Sequence, residues 1–170
     1  MRHKVVIAGM TLDPNTQNPI LLLQVEEDRR MVPVWIGLPE AAAIASALQN
    51  IAFDRPMTHD LFRAFVEKAG YRVTSVEVSG LRGNTFFARI LFTPAGGGGQ
   101  PLEMDARPSD AIALALRFDA PVYVTGEVLA RSREIAEVRV EEMDVMDDTE
   151  QGRKWAEYLA GLSPEEFGKV

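Results

Sequence analysis

Hydrophobic and polar positions follow two periods along the 170 residues, and the period switches several times. Residues 4–12 are rich in β-branched side chains and read as a strand. Residues 20–25 form a near-continuous apolar run, which suits a strand covered on both faces. Residues 31–36 (MVPVWI) read as a third strand. Pro33 confines it to an edge or a bulge, because proline cannot donate to a sheet ladder. A turn cluster at 13–19 and a charged turn at 26–30 separate the three, so the chain opens as a meander. Helical spacing then takes over. An Ala-rich helix runs from Glu40 to about Gln49, after Gly37 and Pro39 break the strand. A second helix spans 58–69, with Leu61, Phe62, Phe65 and Val66 on one face and Gly70 as its stop. Alternation returns at 71–79 and 85–93, and the short turn at 80–84 makes this pair a hairpin. Residues 94–99, with four glycines, form a flexible loop. No Lys-Ser/Thr follows them and no helix begins there, so they are not a phosphate-cradling loop. A short strand at 100–105, a helix through 111–116, a strand at 121–125 and a turn with a short helix at 126–130 complete the domain. Beyond it, 132–148 is acidic and weakly patterned, and 149–162 reads as an amphipathic helix with Trp155, Leu159 and Leu162 on one face. A capped turn follows at Ser163-Pro164. The fold class is therefore α+β: a mixed, largely antiparallel sheet with helices packed on it. A single domain covers 1–130, and an acidic, partly helical extension covers 131–170.

Composition narrows the class. Hydrophobic content of 46% and charged content of 25% are ordinary for a soluble globular chain. There is no cysteine, which rules out a disulfide framework or a thiolate metal site and suits a reducing, cytoplasmic setting. The first residues, Arg2, His3 and Lys4, lead into an apolar run broken by Thr11 and Asp13, and no signal peptide is expected there. No apolar run approaches the ~20 residues of a membrane helix. Net charge is -7, which excludes a basic nucleic-acid binder that works by counterion release. It leaves room for one small cationic site, and it suits carboxylates that recruit a divalent metal. The Ala-rich helix and an exposed edge at Pro33 leave room for a homodimer or a larger homo-oligomer.

Chemistry concentrates at two junctions with one grammar. Around Asp105-Ala106-Arg107-Pro108-Ser109-Asp110, a strand runs into a helix. Proline pushes Arg107 toward extended backbone, Ser109 is a natural N-cap, and Asp110 lies in the first turn, where the helix dipole favours an anion. Arg55-Pro56-Met57-Thr58-His59-Asp60 repeats the arrangement upstream. If the two helix starts face each other, they gather His59, Asp60, Asp105, Arg107 and Asp110. Three readings are open. In the first, Asp105 and Asp110, with Asp60 or Glu40, hold Mg²⁺ or Mn²⁺. In the second, His59 moves protons while Arg55, Arg107 and Ser109 hold a phosphate. In the third the groups are structural: arginines pair with carboxylates, hydroxyls cap helices, His59 bonds a backbone carbonyl, and Glu40 only complements its helix dipole. No named metal motif is present. Trp35 and Trp155 read as packing residues, the phenylalanines of 85–93 as core, and Arg82 as solvated.

These residues resemble the bifunctional nuclease family, also called the BFN or DUF151 domain. The resemblance rests on Val34-Trp35-Ile36-Gly37 with Glu40-Ala41, on the Arg55–Leu61 run, on Phe86-Phe87-Ala88, and above all on the Asp105–Ala115 run, DARPSDAIALA. It covers about residues 4–130. It implies a nuclease hydrolysing phosphodiester bonds in RNA or DNA. His59, Asp60, Asp105, Arg107 and Asp110 are the matching polar positions, and nucleic acid is the substrate. Plant members can carry a UVR motif after the domain, and the acidic tail here shows no clear match to it. The competing function is a non-enzymatic binding module that recognises a small anionic ligand or a protein partner through the same cleft.

Overall fold

The computed structural model describes residues 1–13, 16–83 and 85–139. The readings made for 140–170, including the helix around Trp155, lie outside them. The order is β1 (Arg2–Leu12), β2 (Pro19–Val25), β3 (Met31–Trp35), α1 (Leu38–Leu48), α2 (Thr58–Lys68), β4 (Tyr71–Arg82), β5 (Thr85–Pro94), β6 (Leu102–Ala106), α3 (Pro108–Arg117), β7 (Val122–Thr125) and α4 (Gly126–Arg139). The strands form one seven-stranded sheet in the order β3-β2-β1-β7-β4-β5-β6. Every pairing is antiparallel except that of β4 with β7. The chain is α+β with a mixed, largely antiparallel sheet, as its periodicity indicates.

One connection decides where the chemistry goes. β6 is antiparallel to β5, which is antiparallel to β4, and β4 is parallel to β7. β6 and β7 therefore run the same way, and successive strands of one direction need a crossover. That crossover is α3, which packs on β4 and β5. Ala111 to Ala115 are all buried, so this helix is core on nearly every side. Val73, Val76, Val78, Ala88, Ile90 and Phe92 meet it from the sheet. β2 carries buried side chains on both faces, as its unbroken apolar run requires.

Several details depart from the reading of the sequence. β1 begins at Arg2 rather than at residue 4, so His3 lies in it, paired with Val124 of β7 near the middle of the sheet. β3 is the edge strand that Pro33 demands, yet Pro33 is buried rather than exposed, and α4 packs on β3. α4 itself runs fourteen residues, much further than a short helix. Residues 80–82 belong to β4 rather than to the turn. The Arg82 guanidinium lies 5.3 Å from the centre of the Phe87 ring, a cation–π contact rather than a merely solvated charge. Trp35 does pack inward, and its indole N–H donates to the buried Asp13 carboxylate at 2.8 Å. No helix of the described residues is long and apolar enough to cross a membrane.

Candidate active site

The two helix starts do face one another and touch directly through His59 and Asp110, with α1 packed on α3 beside them. Each begins after an extended residue that is itself the N-cap: Met57 for α2 and Arg107 for α3. Thr58 is thus one residue, and Ser109 two residues, too late to cap. Proline explains the shift at α3, because Pro108 takes the first helical position, where its missing N–H costs nothing. Ser109 becomes a buried residue of the first turn, and Arg107 is left extended beside the helix end.

Asp110 is the hub. Its Oδ1 lies 3.0 Å from His59 Nε2, and its Oδ2 accepts from Arg107 Nε at 2.7 Å. A longer bond from Arg107 Nη2 also reaches Oδ1, at 3.2 Å. Arg107 Nη1 donates to Glu40 Oε1 at 2.7 Å, so one guanidinium joins carboxylates of α1 and α3. Burial pushes the Asp110 carboxyl up, but the hydrogen bonds from Arg107 and His59 outweigh it and hold the group below its ordinary value. The Arg107 guanidinium is held well above its ordinary value, chiefly by the bond to Asp110, which outweighs the cost of desolvation and is reinforced by the bond to Glu40. Both partners are fixed in their charged forms.

Glu40 reaches Arg107 because of a neighbour. A Cβ on Gly37, the N-cap of α1, would collide with Glu40 Oε2. The carboxylate folds back over the helix start into space that only glycine leaves.

Asp60 has a different job. Its Oδ2 accepts the Met57 backbone N–H at 3.1 Å, and its Oδ1 takes Arg117 Nε at 2.5 Å. The Arg117 side chain is almost wholly covered and also donates to the backbone carbonyls of Ala43 and Ala113, both at 3.0 Å. This arginine of the last turn of α3 was not singled out as a site residue. It ties α3 to α1 and α2 and so sets the distance between the helix starts. Only its place on an otherwise apolar helix could have signalled that.

The other expected site residues stand apart. In β5, Phe92 meets the α2 ring of Phe62, so the even positions face the helices. Arg89 points to the opposite face, bonded to Glu77 and Glu103. Asp105 sits directly across from Arg89 and shares that outer face. It therefore does not converge with His59, Glu40 and Asp110. Arg55 is exposed, and neither it nor Ser109 lines the cleft between the helix starts. That cleft is about 380 Å³, in the range of small-ligand sites. Glu40, His59, Arg107, Asp110 and Arg117 line it together with apolar residues of α1 and of the segment after it.

The set expected to hold a metal (Asp105, Asp110 and Glu40) does not fit one. Its first member lies on the other sheet face, and the other two are engaged by Arg107. Among the described residues no three His, Asp or Glu side chains gather as a metal site would need. The positive charge of the cleft comes from guanidinium.

A model of the bifunctional nuclease domain matches residues 21–137, from β2 through nearly all of α4. The chain belongs to the bifunctional nuclease domain family. An uncharacterized protein of Mycobacterium tuberculosis is 34% identical over 165 residues, which cover 96% of this chain and 97% of that protein. Bifunctional nuclease 1 of Arabidopsis thaliana is 27% identical over 117 residues, 68% of this chain but 36% of the plant protein. Bifunctional nuclease 2 of Oryza sativa subsp. japonica is 24% identical over a similar span, again 36% of its length. The match to these plant relatives thus spans about a third of their length.

Proposed function

We propose that this member of the family hydrolyses phosphodiester bonds of RNA or DNA in the cleft between α1, α2 and α3. The observation that carries the reading is the His59–Asp110–Arg107 chain of hydrogen bonds at the cleft wall. With Asp110 ionised, Nε2 of His59 bears the proton and donates it to the carboxylate. Nδ1 is then the nitrogen that accepts a proton from an attacking water. Asp110 orients the imidazole and stabilises the cation that forms, as a carboxylate does for any catalytic histidine it holds. Arg107 spends three N–H groups on Glu40 and Asp110 and keeps two of its five for phosphate oxygens. It is held ready for the charge that builds on phosphorus. Asp60 and Arg117 position the helix starts.

The test is cleavage of single-stranded RNA and DNA by the purified protein, with Mg²⁺, with Mn²⁺ and with chelator. The folded variants His59→Ala, Asp110→Asn and Asp105→Asn are run beside it. Activity lost in the first two and kept in Asp105→Asn is the expected result. Loss in Asp105→Asn alone would move the site to the outer sheet face. Activity that needs metal would assign it a role this arrangement does not supply. A second reading is a binding module for a small anionic ligand. It needs only the two N–H groups that Arg107 keeps and no proton transfer by His59. Protection by ligand with no turnover in any condition would select it.

A further inference from the structure

The cleft has a second half that the proton chemistry does not use. Ile51, Phe53 and Met57 line it. All three are half-buried, and none belongs to the hydrophobic core or packs against it. They reach the cleft because of how α1 ends. Asn50 takes a left-handed conformation (φ 52°), its N–H bonds Ala47 O at 3.2 Å, and the Ile51 N–H bonds Ser46 O at 2.9 Å. This pair of bonds is a Schellman stop, which turns the chain back along the helix it has left. At the other end Met57 is held by its backbone bond to Asp60. The α1 wall offers the small side chains of Ala42, Ala43 and Ala45, together with the polar Ser46 and Gln49.

An aromatic side chain outside the core, small residues near it and an amide at the rim make an apolar slot with one polar reader. The same cleft carries Arg107 and His59. Phosphate-ready and apolar halves in one space fit a nucleotide better than a bare anion. We propose that this half of the cleft is a nucleobase subsite, in which Phe53 stacks an unpaired base of the substrate beside the phosphate held at Arg107. The Gln49 amide is placed to hydrogen-bond the edge of that base. The proposal rests on the phosphodiesterase reading and adds the part of the substrate that decides affinity. Its consequence is that the base enters unstacked, since a cleft of about 380 Å³ takes a base but not a base pair within a duplex.

Two single strands of DNA, equal in length and charge, distinguish the outcomes: one carries bases and the other is abasic throughout. Wild type is expected to cleave the base-bearing strand with a kcat/KM about tenfold higher, the scale of one base–aromatic stack. Phe53→Ala should lose that advantage while cleaving the abasic strand as wild type does, and Phe53→Tyr should restore it. Equal cleavage of both strands by wild type overturns the subsite and leaves the phosphodiesterase reading intact, as does an equal loss on both in Phe53→Ala. If wild type cleaves neither strand, the phosphodiesterase reading fails and calorimetry decides the subsite. A nucleoside 5′-monophosphate that binds about tenfold tighter than ribose 5-phosphate, with the difference absent in Phe53→Ala, upholds the subsite. Equal binding of the two, or binding of neither, overturns it.

Discussion

Asp110 holds two partners at once, and the consequences can be measured separately. Asp110→Asn keeps the shape but cannot anchor the His59 proton or balance Arg107. It is expected to lower cleavage by about 100-fold or more, the usual range for losing oriented general-base catalysis. Arg107→Lys should not rescue function, because one ammonium cannot bridge Glu40 and Asp110 as the forked guanidinium does. The Asp110 carboxyl is depressed in the folded chain relative to its ordinary value of 3.8. Its stabilising effect is therefore complete above that ordinary value and lost as pH falls through the depressed one. In urea unfolding, the difference between wild type and Asp110→Asn should be larger at pH 5 than at pH 3. It should shrink steadily once pH drops below about 4. At this scale the sequence was informative about residue types and less so about pairing. Arg107 with Asp110, and His59 with Asp60, were legible as two groups, because acid and base at a helix start are a local pattern, whereas the meeting of the two starts is not. That Asp60 serves Arg117 was not, since the partner lies 57 positions away.

Elements carry the geometry that these residues need. Arg117 joins three helices through one side chain that is 7% exposed. Arg117→Met removes its bonds to two carbonyls and to Asp60 while keeping the apolar stem. We expect a loss of about 3 kcal/mol, on the scale of breaking a buried hydrogen-bonded charge. That corresponds to a fall in Tm of about 8 °C for a domain of this size. At the start of α1, Gly37→Ala should displace the Glu40 carboxylate and weaken its hold on Arg107. Cleavage should fall several-fold while Tm moves little, because Gly37 is exposed and extended. The existence and type of most elements follow from their periodicity, and their ends do not. Proline placed the start of α3 one residue ahead of Ser109, and α4 outran its weak pattern because it packs on β3, β4 and β7. Local sequence cannot report packing of that kind.

Charge is uneven across the whole molecule. Residues 140–170 hold nine acidic and three basic side chains, so they carry most of the chain's net charge of -7. The rest is close to neutral. A chain ending at Arg139 should therefore bind polyanionic substrate more tightly than the full chain at low salt. The gap should close as salt rises, because screening shortens the reach of the tail's charge to about 8 Å at physiological ionic strength. Measuring KM for single-stranded DNA across a salt series checks this.

The sequence by itself determined the α+β class, the hairpin of β4 and β5, the edge position of β3, and the two arginine–proline helix starts. Each depends on neighbours within a few positions: a period of two or of 3.6, a missing N–H, a residue that must stay extended. Tertiary structure alone decided that Asp105 faces away from Asp110 and that Glu40 and Arg107 meet. It also decided that Phe53 lines the same cleft as His59. Which face of a sheet a side chain takes depends on register, and which helix ends meet depends on how α3 crosses from β6 to β7. Both are set by contacts between residues far apart in the chain, which no local pattern encodes.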